Sequence, residues 1–225
     1  YPSVDDKYYT LSELEEAITP NQTDKNGKLV VLYASNKDTQ HGYVEIAKEK
    51  GYEVLFLDSP IVSHLIQKLE SDNENLTFVR VDSDHIDKLI QKEETQISKL
   101  SEDEATNLKT VLEEIVPKTN YSVQLEPMDS SAAPFMITQP EFMRRMKEMS
   151  QTGGGGMFGM GNFPEMYNLV VNTNSELATT ILNTSDKSAQ ESLVKQALDL
   201  AKISQGLLKG EELTAFVKRS FELIK

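Results

Sequence analysis

Five consecutive apolar residues, Leu29, Val30, Val31, Leu32 and Tyr33, limit what the first part of this 225-residue chain can fold into. A strand with one wet face alternates apolar and polar side chains. One that is apolar at every position has both faces covered, which is the habit of parallel sheets flanked by helices. Residues 53–57 and 76–81 repeat the pattern. Between these strands Tyr43, Ile46, Ala47 and Lys50 step down one helix closed by Gly51, and Ile61, Leu65, Ile66 and Leu69 mark the next, with Leu11, Leu14 and Ile18 on a leading helix. Strands separated by helices require right-handed crossovers, so the expectation is a small three-layer α/β/α domain built on a parallel sheet.

After Val81 the alternation stops, and 91–98 is a polar connector with little to bury. The expected domains are therefore 1–97 and 98–225. Ser101 followed by Glu104 has the spacing of a capping box, and Leu108, Val111, Leu112 and Ile115 form the stripe of the helix it opens. Strands are expected over 121–126, 135–138 and 166–172, then a short helix over 175–182, a long one over 188–209 stopped by Gly210, and a last one over 211–225. The second domain is thus α+β and ends in a helical hairpin. Its two helices carry wide apolar faces: Leu193, Ala197, Leu200, Ala201, Ser204, Leu207 and Leu208, then Leu213, Phe216, Val217, Phe221 and Ile224. Such faces can fold back on their own sheet or meet a second copy as a four-helix bundle, and periodicity alone does not choose.

All eight methionines lie between Met128 and Met166. Within 140–150, Phe142, Met143, Met146 and Met149 fall on one stripe, and Arg144, Arg145, Lys147 and Glu148 take the other side. Methionine is unbranched and polarizable, so a surface rich in it repacks against many apolar partners. The plainer alternative is that the stripe faces a core. The run Gly153 to Gly161 that follows reads as a low-complexity loop unable to clamp the helix, which favours an exposed ridge flanked by Arg144, Arg145 and Lys147.

Chemistry is sparse. His41, His64 and His85 are scattered, without metal-ligand spacing, and read as surface or boundary residues. Asp82, Asp84 and Asp87 resemble part of a calcium loop, but Asp87 stands where the turn needs glycine. Gly154, Gly156 and Gly159 match a dinucleotide fingerprint in spacing only, since they follow a helix and precede a strand, the reverse of the phosphate-binding context, and no Walker lysine accompanies them. With 23 basic and 36 acidic residues the net charge is −13, which disfavours nucleic acid. The acidity sits mainly before residue 98 (−9, against −4 after it). No cysteine is present and no apolar run is long enough for a membrane span, so the expectation is a cytoplasmic protein with no catalytic residues, no metal and no cofactor of its own. The start at Tyr1 suggests a fragment of a longer protein.

At Leu32-Tyr33-Ala34, Gln40, Tyr43-Val44-Glu45, and above all Lys50-Gly51-Tyr52-Glu53-Val54-Leu55, the chain resembles the heat-shock protein 90 chaperone family, in the small α/β unit that ends its middle region. The resemblance continues through Phe78-Val79-Arg80-Val81, 129–138 and the closing hairpin, and so covers nearly the whole chain. It implies a homodimer held by a four-helix bundle of the last two helices, and an amphipathic helix that contacts unfolded clients, which by position is 140–150. Phe142, Met143, Met146 and Met149 inherit that role by resemblance, and the hairpin residues named above inherit the dimer interface. The family's ATP and magnesium site and its catalytic arginine belong to earlier domains, so this fragment is expected not to be an enzyme.

Three departures accompany the resemblance. Asn172-Thr173-Asn174-Ser175 stands where the family often has Asn-Pro followed by His-Pro, the glycine-methionine tract is unusually long, and the chain closes Phe221-Glu222-Leu223-Ile224-Lys225 without the acidic pentapeptide of eukaryotic cytosolic members. A bacterial (high-temperature protein G) type is expected. The rival readings are an oligomerisation or scaffold module that binds no client, and an α/β enzyme using the strand ends near Gly51 and Asp58.

Overall fold

The computed structural model describes residues 1–93, 95–152 and 165–223. In chain order the elements are α1 (Leu11–Gln22), β1 (Leu29–Ala34), α2 (His41–Glu49), β2 (Val54–Phe56), α3 (Val62–Asp72), β3 (Leu76–Arg80), α4 (Ile86–Leu89), α5 (Glu102–Ile115), β4 (Tyr121–Glu126), β5 (Phe135–Thr138), α6 (Glu141–Thr152), β6 (Tyr167–Asn172), α7 (Glu176–Asn183), α8 (Lys187–Ser204) and α9 (Gly210–Leu223). They group into two compact units, one of Tyr1–Thr95 with Thr138–Met166, the other of Gln96–Ile137 with Tyr167–Lys225. The break at 95/96 lies close to the expected one. The methionine helix α6, expected with the second domain, groups with the first unit.

In the first unit β1 is the centre of a parallel sheet ordered β2-β1-β3, with Leu32 beside Val54 and Leu29 beside Leu76. Val31 and Tyr33 pack with Leu55 and Phe78 against Leu14 and Ile18 of α1 and Val62 and Ile66 of α3. The alternate residues Val30 and Leu32 point to the opposite face, and α2 buries Tyr43, Val44 and Ala47. Both faces are thus covered, as the unbroken apolar run requires. Gly51 ends α2 in the left-handed conformation (φ +74°), and Gly51 N–H and Tyr52 N–H donate to Lys48 O and Ala47 O at 2.9 and 3.0 Å. The stripe expected on α3 is displaced: the helix starts at Val62 and buries Val62, Ser63 and Ile66, leaving Ile61 and Leu65 exposed. His85, expected at the surface or a boundary, is buried.

The second unit has a mixed sheet ordered β4-β6-β5 in which β4 and β6 are parallel. Its core joins Leu108 and Leu112 of α5, Leu169 and Val171 of β6, Ile181 of α7, and Val194, Ala197, Leu198 and Ala201 of α8. The capping box forms as expected, Ser101 Oγ accepting from Glu104 N–H and Glu104 accepting from Ser101 N–H. At the end of β6, in the stretch 172–175 that departs from the resembled family's proline-containing pattern, side chains hold the turn. Asn172 Oδ1 accepts from Met128 N–H (3.1 Å) and Asn174 N–H (3.0 Å), and Asn172 Nδ2 donates to Asp129 O (2.8 Å). Asn174 Nδ2 donates to Ile97 O and Met128 O, while Ser175 caps α7. A buried amide that fills its donors and acceptors this way replaces the rigidity of proline with a network.

The long helix ends earlier than expected. Gly206 (φ +63°), not Gly210, stops α8: Gly206 N–H donates to Ile203 O at 2.9 Å and Leu207 N–H to Lys202 O at 2.8 Å. Leu207 and Leu208 therefore lie in the connection rather than on the helix.

Candidate functional site

Helix α6 has the sharp division of apolar and charged faces that normally puts the apolar side inward. Here the charged side is inward. Arg144 is only 4% exposed, whereas Phe142, Met143 and Met146 are 71, 39 and 40% exposed and Met149 is half-buried.

The seat of the charged face is the carboxyl end of the first unit's sheet. Tyr33, near the end of β1, donates to Glu141 Oε1 at 3.2 Å and accepts from Arg144 Nη2 at 2.5 Å. Arg144 also pairs with Glu141 and, through Nη1 at 2.6 Å, with Glu148. Arg145 donates to Glu141 at 2.6 Å, to Glu70 of α3 at 2.7 Å and to the Phe78 carbonyl of β3. Glu148 accepts from Ser63 of α3 at 2.5 Å, and Arg80 N–H donates to Glu141 at 3.3 Å. The order β2-β1-β3 makes the junction of β1 and β3 the point where chain direction across the sheet reverses, the place where open α/β sheets leave a crevice for ligands. In this unit the guanidinium and carboxylate groups of α6 occupy it.

The electrostatics follow from this burial. Desolvation, reinforced by Glu141, pushes the Tyr33 hydroxyl well above its ordinary range. Desolvation works against the charge on Arg144 and Arg145, but Glu141, Tyr33 and Glu148 around the first, and Glu70 and Glu141 around the second, outweigh it and hold both charged. Burial pushes Glu148 upward, yet the Ser63 hydrogen bond and Arg144 more than compensate, so its carboxyl lies below the ordinary range. These groups form a satisfied ionic seat, with one exception: Arg144 Nε is buried without a hydrogen-bond partner. Arg144 and Arg145, expected to flank the apolar ridge in water, are thus committed inward. Lys147, which pairs with Glu165, keeps a half-exposed position.

A cavity of about 210 Å³ borders this seat, lined by Tyr33, Ser35, Leu57, Asp58, Arg144 and Glu148 among others. Gly51 lines a separate depression with Asp5, Asn21 and Tyr52, so the fold does not bring Gly51 and Asp58 into one site. Asp82, one member of the calcium-like triplet, is taken by Arg80 in a two-pronged pair at 2.6 and 3.0 Å. The glycine-methionine tract falls outside the described residues.

The terminal hairpin sorts the residues expected at a dimer interface into two groups. Ala197, Ala201 and Leu208 are buried within the unit, and Leu193 and Leu207 are partly buried against its core. Leu200 (54% exposed), Leu213, Val217 and Phe221 (65%) face outward with Ser204, and Phe216 is half-buried. Ile203 joins the outward group, a residue that the 3.6-residue pattern could have flagged beside Leu200. Ile224 is outside the described residues. The two helices are held by Arg219 to Asp199 (2.5 Å), Arg219 Nε to Gln196 (2.9 Å) and Lys202 to Glu212 (3.0 Å). Lys202 also lies 5.8 Å from the Tyr121 ring centre, and burial together with Glu212 and Asp199 pushes the Tyr121 hydroxyl up to about 12.

No family model matches the chain. Curated relatives do. A protein of Bacteroides thetaiotaomicron named Chaperone protein HtpG is 33% identical over the whole chain and 43% of its own length. One of Porphyromonas gingivalis strain W83 with the same name is 39% identical over 94% of the chain and 31% of its own length. A Bacteroides fragilis protein of that name is 32% identical over the whole chain. The matched stretch is the C-terminal portion of these relatives, and the chain spans less than half their length.

Proposed function

Because the chain belongs to the HtpG branch of the heat-shock protein 90 chaperones, we propose that it supplies part of the surface that holds unfolded clients and the contacts that pair two copies of the protein. The client surface is the outward ridge of α6: Phe142, Met143 and Met146, with Met149 at its edge. The observation that carries this reading is the inverted helix, whose buried face is ionic and whose exposed face is apolar and mostly methionine. A core role would bury the methionines, since removing a buried methionine side chain costs about 2–5 kcal/mol. The soft side chains suit many sequences.

The pairing surface is the outward face of α8 and α9, with Leu200, Ile203, Leu213, Val217 and Phe221. Full burial of such side chains contributes roughly 1.5–3 kcal/mol each. Five per copy are enough to offset an association cost of about 4–15 kcal/mol. ATP and magnesium act, in this reading, on domains outside this chain, and the cell compartment is the cytoplasm.

Two measurements test the proposal. Replacing Met143 and Met146 together by serine weakens the chain's ability to keep heat-unfolded malate dehydrogenase in solution; a double variant that holds this client as well as the parent removes the client reading and leaves a scaffold. Sedimentation gives a dimer for the parent and a monomer for Leu200→Glu with Phe221→Glu. A monomeric parent at micromolar concentration ends the pairing reading.

A further inference from the structure

Met143 and Met146 differ from the buried methionines of the second unit in a way that bears on modification. Both sulfur-bearing side chains of the pair lie on the open face of α6, at i and i+3, whereas Met128 and Met136 are buried. The helix does not depend on the pair for its seat. Arg144, Arg145, Glu141 and Glu148 hold it from the opposite face through Tyr33, Ser63, Glu70 and the Phe78 carbonyl. Chemistry on the outer face can therefore change what the surface sticks to while leaving the fold in place.

Thioethers in water are oxidised by hydroperoxides, and the product, a sulfoxide, is polar where the thioether was apolar. We propose that Met143 and Met146 are a reversible oxidation site at which hydroperoxides switch the α6 ridge from adhesive to non-adhesive; the consequence for clients rests on the function proposed above. In the forward step the sulfur lone pair takes the terminal oxygen of the hydroperoxide. The S–O bond forms as the O–O bond breaks, sulfur is oxidised by two electrons, and the peroxide is reduced to water or an alcohol. In the reverse step a methionine sulfoxide reductase returns the thioether, the oxygen leaving as water while a dithiol becomes a disulfide. Each reductase handles one sulfoxide epimer, so full recovery needs both kinds. Phe142 cannot be oxidised this way and remains as the apolar remnant of the ridge.

The experiment uses the full chain, hydrogen peroxide as oxidant, peptide mass spectrometry, thermal melting and the malate dehydrogenase assay. Met143 and Met146 gain oxygen well before Met128 and Met136, the melting temperature stays within the scatter of the untreated protein, client holding falls, and treatment with both reductases and a thiol restores it. The Met143→Leu and Met146→Leu double variant, compared with its own untreated level of holding, loses the sensitivity to peroxide. Equal oxidation of the buried pair, a melting transition that drops with the first oxygen added, unchanged holding after Met143 and Met146 are oxidised, or a leucine variant that stays peroxide-sensitive would each overturn the switch. If the untreated parent holds no client at all, it is the client reading that fails, and with it the functional half of the switch.

Discussion

Helices α5 and α6 are both strongly amphipathic, yet they bury opposite kinds of face. In α5 the stripe of Leu108 and Leu112 goes into the core and Glu102, Asp103 and Glu104 stay in water. In α6 Arg144 goes in and Phe142 stays out. The difference lies in what each helix meets. The sheet and helices packed around Leu108 and Leu112 offer an apolar surface that includes Leu169, Val171, Ile181 and Val194. The sheet end and α3 beneath α6 offer a tyrosine hydroxyl, a carboxylate and a backbone carbonyl that accept from two guanidinium groups, and a serine hydroxyl that donates to Glu148. An apolar stripe is driven inward by about 25 cal/mol per Å² removed from water. It yields when the charged groups on the other face are paired there, because an unpaired charge in the same place would cost more.

Four changes test this contrast, in falling order of effect. Arg144→Ala leaves Glu141 with Arg145 alone, Glu148 without its 2.6 Å partner and the Tyr33 hydroxyl without its donor; breaking a buried pair in this way costs about 3–5 kcal/mol. Denaturant unfolding reads the loss, and a stability within experimental scatter of the parent would mean that the ionic seat does not hold α6. Leu112→Ala in α5 removes a fully buried side chain and costs about 2–5 kcal/mol by the same measurement. The conventional helix then responds to lost apolar bulk as the inverted one responds to lost charge.

Acid should separate the two helices further. The Glu148 carboxyl lies below its ordinary value in the folded chain. Its contribution is complete above the unfolded carboxylate range and is lost as pH falls through the lowered folded value. Protection factors of the α6 amides should therefore fall below pH ~4 while those of α5, whose buried contacts do not titrate, change less. An equal fall in both helices would reduce the effect to general acid unfolding. The smallest effect is expected for Met143→Ser with Met146→Ser, within about 0.5 kcal/mol of the parent, as for substitutions on an exposed face. A loss of several kcal/mol would place these methionines in a core after all.

Much of this was legible in advance, and for local reasons. An apolar run with no polar alternation needs two covered faces, so 28–34 could only be an inner strand, and β1 buries all of Val30 to Ala34. Ser101 and Glu104 are three residues apart and complete their capping box without help from the rest of the chain. Gly51 closes α2 because a residue without a Cβ takes the left-handed turn at little cost. The stop of α8 was misplaced because two glycines, Gly206 and Gly210, each adopt that conformation, and only the bonds to Ile203 and Lys202 show which ends the helix.

The amino-acid sequence by itself determined the parallel α/β unit, the α+β unit with its terminal hairpin, and the existence of two unlike faces on α6, because each is written in residues a few positions apart. Which face of α6 turns inward was decided only by tertiary structure. Its partners Tyr33, Ser63, Glu70 and Phe78 are 67 to 111 residues away along the chain. Periodicity records that the two sides of a helix differ, whereas burial depends on what the other side is offered. The same limit applies to α8, where Ala197 and Ala201 serve the core while Leu200 and Ile203 face away, a division set by the sheet the helix lies on.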